Sequence, residues 1–111
     1  MTPIDVDRID DPPSVWLRLS GELDIASVGE VERQIDDVEQ DPPETLLLDL
    51  RGLSFMDSTG LRMILATDAR LRAQGRRLVL VPGPESVHRV FRLALLEDRL
   101  EFRPSNGEGN A

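Results

Sequence analysis

The sequence predicts an α/β fold: a single domain whose mixed β-sheet, an N-terminal hairpin plus parallel strands, packs against amphipathic helices. Three observations carry that expectation. The hydrophobic period is two before Gly21 and helical after it, and strand-like and helix-like segments then alternate. Turn clusters rich in Pro and Asp separate the segments. The chain is 111 residues long, enough for one core that buries roughly two-thirds of the surface an unfolded chain exposes.

Each element follows from its own residues. Ile4, Val6, Arg8 and Ile9 suggest a short first strand, and Asp10-Asp11-Pro12-Pro13-Ser14 a turn. Val15, Leu17 and Leu19 share one face of a second strand, so the two strands read as an antiparallel hairpin. Val28, Val31, Ile35 and Val38 step by helical spacings while Glu30, Glu32, Arg33, Asp36 and Asp37 fall elsewhere, which predicts an amphipathic helix ended by Asp41-Pro42-Pro43. Thr45 to Leu50 is an almost continuous apolar run, as expected of a strand covered on much of both faces. Arg51 to Asp57 reads as a connection. A second helix follows with Leu61, Ile64, Leu65 and Leu71 on its apolar stripe and Gly75 as its stop. Arg77 to Val81 is another strand. Val87, Val90, Phe91 and Ala94 stripe a third helix that begins near Pro84, a residue favoured at a first helical turn. Leu100-Glu101-Phe102 adds an edge strand. The domain therefore spans 1–103, and 104–111, with no large apolar side chain, is expected to be a disordered tail.

Composition removes most chemistries. There are 21 acids, 13 bases and no cysteine, so disulfides, thiol nucleophiles and Cys-based metal sites are excluded. All 13 bases are arginine, which excludes a phosphate-loop lysine and a Schiff base. One histidine, His88, cannot make a two-histidine metal motif. A net charge of -8 argues against sequence-independent nucleic-acid binding, which needs clustered positive charge. No basic start precedes an apolar run at the N-terminus, and no apolar stretch approaches the ~20 residues that span a bilayer. The expected compartment is the cytoplasm.

The informative segment is Leu53-Ser54-Phe55-Met56-Asp57-Ser58-Thr59-Gly60-Leu61, between the apolar strand and the second helix. Its small oxygen-bearing residues meet the free N–H groups of a first helical turn, so Asp57 or Ser58 is an N-cap. Beyond capping, Ser58 is an exposed hydroxyl at which a helix start favours an added phosphate. A serine hydrolase is disfavoured because Met56 stands where the nucleophile elbow needs its first glycine.

Gly21-Glu22-Leu23-Asp24, Asp49-Leu50 and the Leu53–Leu61 stretch, with Val87-His88-Arg89-Val90-Phe91-Arg92-Leu93, resemble the STAS domain family, in the style of bacterial anti-sigma factor antagonists. The resemblance runs from about Val15 to Phe102. It implies a non-enzymatic, cofactor-free module that binds an anti-sigma factor serine kinase and so frees a sigma factor. It also implies that phosphorylation of a serine abolishes binding and that a PP2C-type phosphatase restores it. The position matching that serine is Ser58, with Thr59 as an additional or alternative acceptor. Asp24 and Asp57 match acidic positions flanking the site, and Asp24, Asp57, Ser58, Thr59 and Gly60 form the implied partner-binding set. A monomer or weak dimer is expected, without nucleic acid or a membrane span. The resemblance departs at one point: such antagonists usually show a glycine after the third helix, where this chain has Leu95. Two other readings stay open: a STAS module of a stress-sensing complex or transporter assembly, and a small-molecule or nucleotide sensor.

Three further features have structural readings. Arg70, Arg72, Arg76 and Arg77 suit a solvated helix end. Trp16 faces away from Leu17 and either covers the second sheet face or anchors an interface. His88 reads as a surface or partly packed residue.

Overall fold

In the computed structural model, which describes residues 3–103, β1 (Asp5–Asp11) and β2 (Ser14–Leu23) form the hairpin. They are followed by α1 (Val28–Val38), β3 (Thr45–Met56), α2 (Ser58–Ala73), β4 (Arg77–Val81), α3 (Glu85–Leu93) and β5 (Glu101–Phe102). The expected tail at 104–111 lies outside the described residues. The strands lie in sequence order, β1-β2-β3-β4-β5. β1 is antiparallel to β2, and every later neighbour is parallel. Successive right-handed crossovers that step the same way along a sheet put their helices on one face.

That face holds the core. Val15, Leu17 and Leu19 of β2, Leu46, Leu48 and Leu50 of β3, and Leu78 and Leu80 of β4 join one buried cluster with Val31, Ile35 and Val38 of α1, Ile64 and Leu71 of α2, and Val87 and Phe91 of α3. The opposite face carries no helix among the described residues. Register aligns Trp16, Leu47, Val79 and Glu101 across it. Leu47 and Val79 are nevertheless buried. The Arg103 guanidinium lies 5.3 Å from the centre of the Trp16 ring. Three strand spacings of about 4.8 Å separate β5 from β2, so the two side chains meet above β3 and β4 and shield these apolar residues.

Four expectations are corrected. The turn between the first strands shrinks to Pro12-Pro13, because Asp10 and Asp11 stay paired with Val15 and Ser14. Arg51 to Met56 is not a connection: β3 continues alongside Ser20–Leu23 through two register shifts. Those shifts break the period of two, so Leu53 and Met56 are buried at a spacing of three. On α2 the buried stripe is rotated to Gly60, Met63, Ile64, Thr67 and Leu71, leaving Leu61 and Leu65 half-buried against the core. Buried Thr67 donates its hydroxyl to the Met63 carbonyl at 2.8 Å, which satisfies it inside the helix. Ala94 is exposed, since α3 stops one residue before it.

Both later helices end in a Schellman turn. Gly75, with φ 72°, follows α2; its N–H donates to the Arg72 carbonyl and that of Arg76 to the Leu71 carbonyl. After α3 the same turn is made by a non-glycine residue. Leu95 has φ 60°, its N–H donates to the Arg92 carbonyl at 3.0 Å, and the Leu96 N–H donates to the Phe91 carbonyl at 2.9 Å.

Candidate functional site

The parallel strands β2 and β3 finish side by side, with Leu23 paired to Met56. Each is followed by an aspartate whose carboxylate collects the first N–H groups of the next segment. Asp57 sits in extended backbone and caps α2, accepting from Thr59 N–H at 2.9 Å and Gly60 N–H at 3.3 Å. Asp24 accepts from Ala26 N–H at 3.0 Å and Ser27 N–H at 3.2 Å, and the Ser27 hydroxyl donates to the Glu22 carbonyl at 2.6 Å. Asp57 N–H donates to the Leu23 carbonyl at 3.3 Å, tying the two loops together. Oxygen acceptors at exposed N–H groups are what these positions call for physically, and both aspartates supply them.

Ser58 is the first residue of α2 and is exposed. Because Asp57 has taken the cap, the Ser58 hydroxyl is left without a hydrogen bond to any described residue. Thr59 is half-buried beside it. Gly60 has a different place from the one expected of a partner contact: it is buried, and a Cβ there would lie 2.8 Å from Leu23 Cγ and 2.9 Å from Met56 Cγ. It lets α2 approach the strand ends closely and so sets the height at which Ser58 is presented.

Two exposed apolar side chains that sequence reasoning did not single out lie at the ends of the two strands that lead into these loops. Phe55, paired to Glu22 near the end of β3, is 47 % exposed, and Ile25, in the loop after Asp24, is 79 % exposed. The signal for Ile25 was available, since a β-branched apolar residue inside a turn has no local reason to be there. For Phe55 the register shift hid which way the side chain points.

The remaining candidates are structural. Arg76 is held by Glu39, by the Gln74 side chain and by the Pro43 carbonyl, Arg72 by Asp68, and Arg77 by Glu101, so these arginines do not form a free basic patch. Asp49, on the helix-free face, is 4 % exposed and receives two bonds from the Arg51 guanidinium, at 3.0 and 2.8 Å, and one from Arg51 N–H at 3.1 Å. Burial pushes its carboxyl up, but the Arg51 hydrogen bonds and charge, helped by Arg18, outweigh burial and hold it below the usual range. His88 Nε2 lies 2.8 Å from a Glu97 carboxylate oxygen, and its ring packs edge-on to Phe102. Its Nδ1 is buried without a partner. A bare lone pair costs less there than an unpaired N–H, which assigns the proton to Nε2, donating to Glu97. Among the described residues no helix is long and apolar enough to cross a membrane.

The chain is similar to known proteins in sequence and fold. The chain is 29% identical over 82 residues to an anti-sigma-B factor antagonist of Staphylococcus aureus, covering 74% of this chain and 76% of that protein. Its fold superposes with a TM-score of 0.85 on an anti-sigma factor antagonist from Mycobacterium paratuberculosis, 25% identical, over 95% of this chain and 89% of that one. A TM-score of 0.72 relates it to the Bacillus cell fate determinant SpoIIAA in its phosphorylated form, 25% identical, over 96% and 95% of the two chains. The STAS domain model matches residues 3–109, and with its five-stranded mixed sheet and three helices the chain belongs to the STAS domain family.

Proposed function

We propose that this protein is an anti-sigma factor antagonist that acts by binding, not catalysis, and that phosphorylation of Ser58 switches it off. The observation that carries this reading is the unpartnered Ser58 hydroxyl, exposed at the start of α2 while Asp57 alone does the capping. Partner contact falls on Ser58, Thr59 and the exposed side chains Ile25 and Phe55, with Asp24 and Asp57 holding the two loops in shape. The partner is an anti-sigma factor with serine-kinase activity, and the setting is the cytoplasm. The kinase step joins Ser58 Oγ to the γ-phosphorus of ATP, breaks the bond to the ADP leaving group and releases the hydroxyl proton; a PP2C-type phosphatase hydrolyses the ester. The likeness to antagonists, one of them known in a phosphorylated form, supports the reading.

The physics is local. Phosphate adds roughly -1.5 to -2 charges at neutral pH. Water solvates that charge in the free protein. In a complex shaped for a neutral hydroxyl the dianion is desolvated without a counter-charge, which is costly. Binding is therefore lost while the fold survives.

Calorimetry with the kinase-type anti-sigma factor of the same genome tests this. Ser58→Ala is expected to bind like the parent and to take up no phosphate. Ser58→Asp should bind about 30-fold more weakly, the lower end of the cost of an unpaired interfacial charge. Ser58→Asn, similar in size to Asp but neutral, should bind within a few-fold of Ala. Equal binding by Ala, Asn and Asp would reduce Ser58 to a surface residue and remove the antagonist reading with it.

A further inference from the structure

Arg62 lies one helical turn beyond Ser58 on α2, and both residues are exposed. Residues three and four apart on a helix are neighbours, with Cβ atoms about 5–6 Å apart. The neighbours of Arg62 at those spacings are Ser58, Thr59, Leu65 and Ala66, none of them acidic. Arg70 also lacks an acidic neighbour at these spacings, but the one hydroxyl beside it, on Thr67, is buried and spent on the Met63 carbonyl, and three other helical arginines are paired. Arg72 has Asp68 four residues back at 2.9 Å, Arg33 has Glu30 three back, and Arg92 pairs with Glu85. Arg62 has no ion pair or hydrogen bond to any described residue. It is a guanidinium whose nearest helical positions offer two hydroxyls and no charge.

We propose that Arg62 is a positioning residue, the in-chain counter-ion of a phosphate on Ser58; this rests on the reading of Ser58 as the modified residue. A guanidinium forks onto two phosphate oxygens, a geometry and charge that few other groups supply. An anion four residues N-terminal to a cation is the favourable order along a helix. Without Arg62, a phosphate would sit beside the Asp57 carboxylate, which is committed to Thr59 and Gly60 N–H and cannot turn away. With it, the phosphate is held against the chain and stays dianionic through neutral pH, although a free phosphoserine has its second pKa at about 6. The charge that opposes partner binding is thereby kept at full strength.

Phosphoserine placed genetically at position 58 of the full chain makes the test independent of any kinase. Titration followed by phosphorus NMR at low salt would compare the parent, Arg62→Gln and Arg62→Lys. The second phosphate pKa is expected to be lower in the parent than in Arg62→Gln by about 0.5, with Arg62→Lys recovering part of the difference. The melting-temperature change on phosphorylation should also be more favourable in the parent than in Arg62→Gln, by about 2 °C. Equal pKa values in parent and Gln forms would overturn the role of Arg62. Failure of the switch itself reads out separately: if the phosphoserine and unmodified chains bind the anti-sigma factor equally, the Ser58 reading falls whatever the titration shows.

Discussion

Leu95 holds the left-handed turn that ends α3, with φ 60° and the residue 84 % exposed. A left-handed conformation costs a residue with a Cβ roughly 1–2 kcal/mol, and glycine avoids the clash. Exposure means that deleting the side chain sacrifices little burial. Part of the gain is lost because glycine also frees the unfolded chain. Leu95→Gly is therefore expected to stabilise the protein by about 1 kcal/mol, a rise in Tm of about 4 °C, measured by thermal and urea unfolding. A neutral or destabilising result would mean that the Leu95 side chain makes contacts worth more than the backbone strain. That a leucine and not a glycine follows the third helix was visible in the sequence; that the turn forms all the same was not, because the Arg92 and Phe91 carbonyls that reward it lie in the helix before it.

At the scale of elements, α2 and β3 decide how the site is presented. Ile64 is fully buried whereas Leu61 is half-buried, so Ile64→Ala should cost about 3 kcal/mol and Leu61→Ala about 1 kcal/mol. Gly60→Ala should cost about 1–3 kcal/mol, because its Cβ would press on Leu23 and Met56 and lift the helix start. Urea midpoints would rank the three, and an order with Leu61 first would refute the face assigned to α2. The buried stripe was only half legible in the sequence, since Thr67 and Gly60 are not apolar letters and Leu61 and Leu65 are. The helix start was legible because Asp-Ser-Thr-Gly after an apolar strand is strong local chemistry. The second half of β3 was not: once the register shifts, burial no longer alternates, and Arg51 to Met56 looks like a loop.

The helix-free side of the sheet makes its own prediction. Asp49 is held below its usual range by Arg51 against the opposing effect of burial. A carboxylate with a lowered folded-state pKa stabilises the fold above its unfolded pKa of about 3.9, and that contribution fades as pH falls through the folded value. Asp49→Asn should therefore cost about 1–2 kcal/mol at pH 7, discounted because Arg51 is half exposed. The cost should shrink in urea melts below about pH 4. A cost that stays constant from pH 7 to 3 would show that shape, not charge, makes Asp49 fit.

Over the whole molecule, charge is divided along the chain. Residues 1–57 hold 15 acids and 4 arginines, and residues 58–111 hold 6 acids and 9 arginines. Sequence order is also sheet order, so β1, β2 and α1 form an acidic flank, while the arginine surplus falls on α2 and the turn after it: 58–76 hold 4 arginines and 1 acid, and 77–111 hold 5 of each. Ser58 opens α2 at the boundary. A charged partner approaching such a molecule is turned before it docks, an effect that salt screens over about 8–10 Å. The general architecture needed only periodicity and turn chemistry. The polarity of the surface became meaningful only once the strand order was known.

The sheet side without helices gives the protein an optical gauge of its own. Trp16 is the chain's single tryptophan, and Arg103, one residue past the two-residue strand β5, lies on its ring. Fluorescence from one indole thus reports whether the C-terminal edge is seated, at a place remote in sequence from the fluorophore. If that edge detaches before the sheet melts, emission will shift at lower denaturant than the far-ultraviolet dichroism, and Arg103→Ala will show the shifted spectrum while still folded. Coincident transitions would mean that the last strand and the core come apart as one cooperative unit.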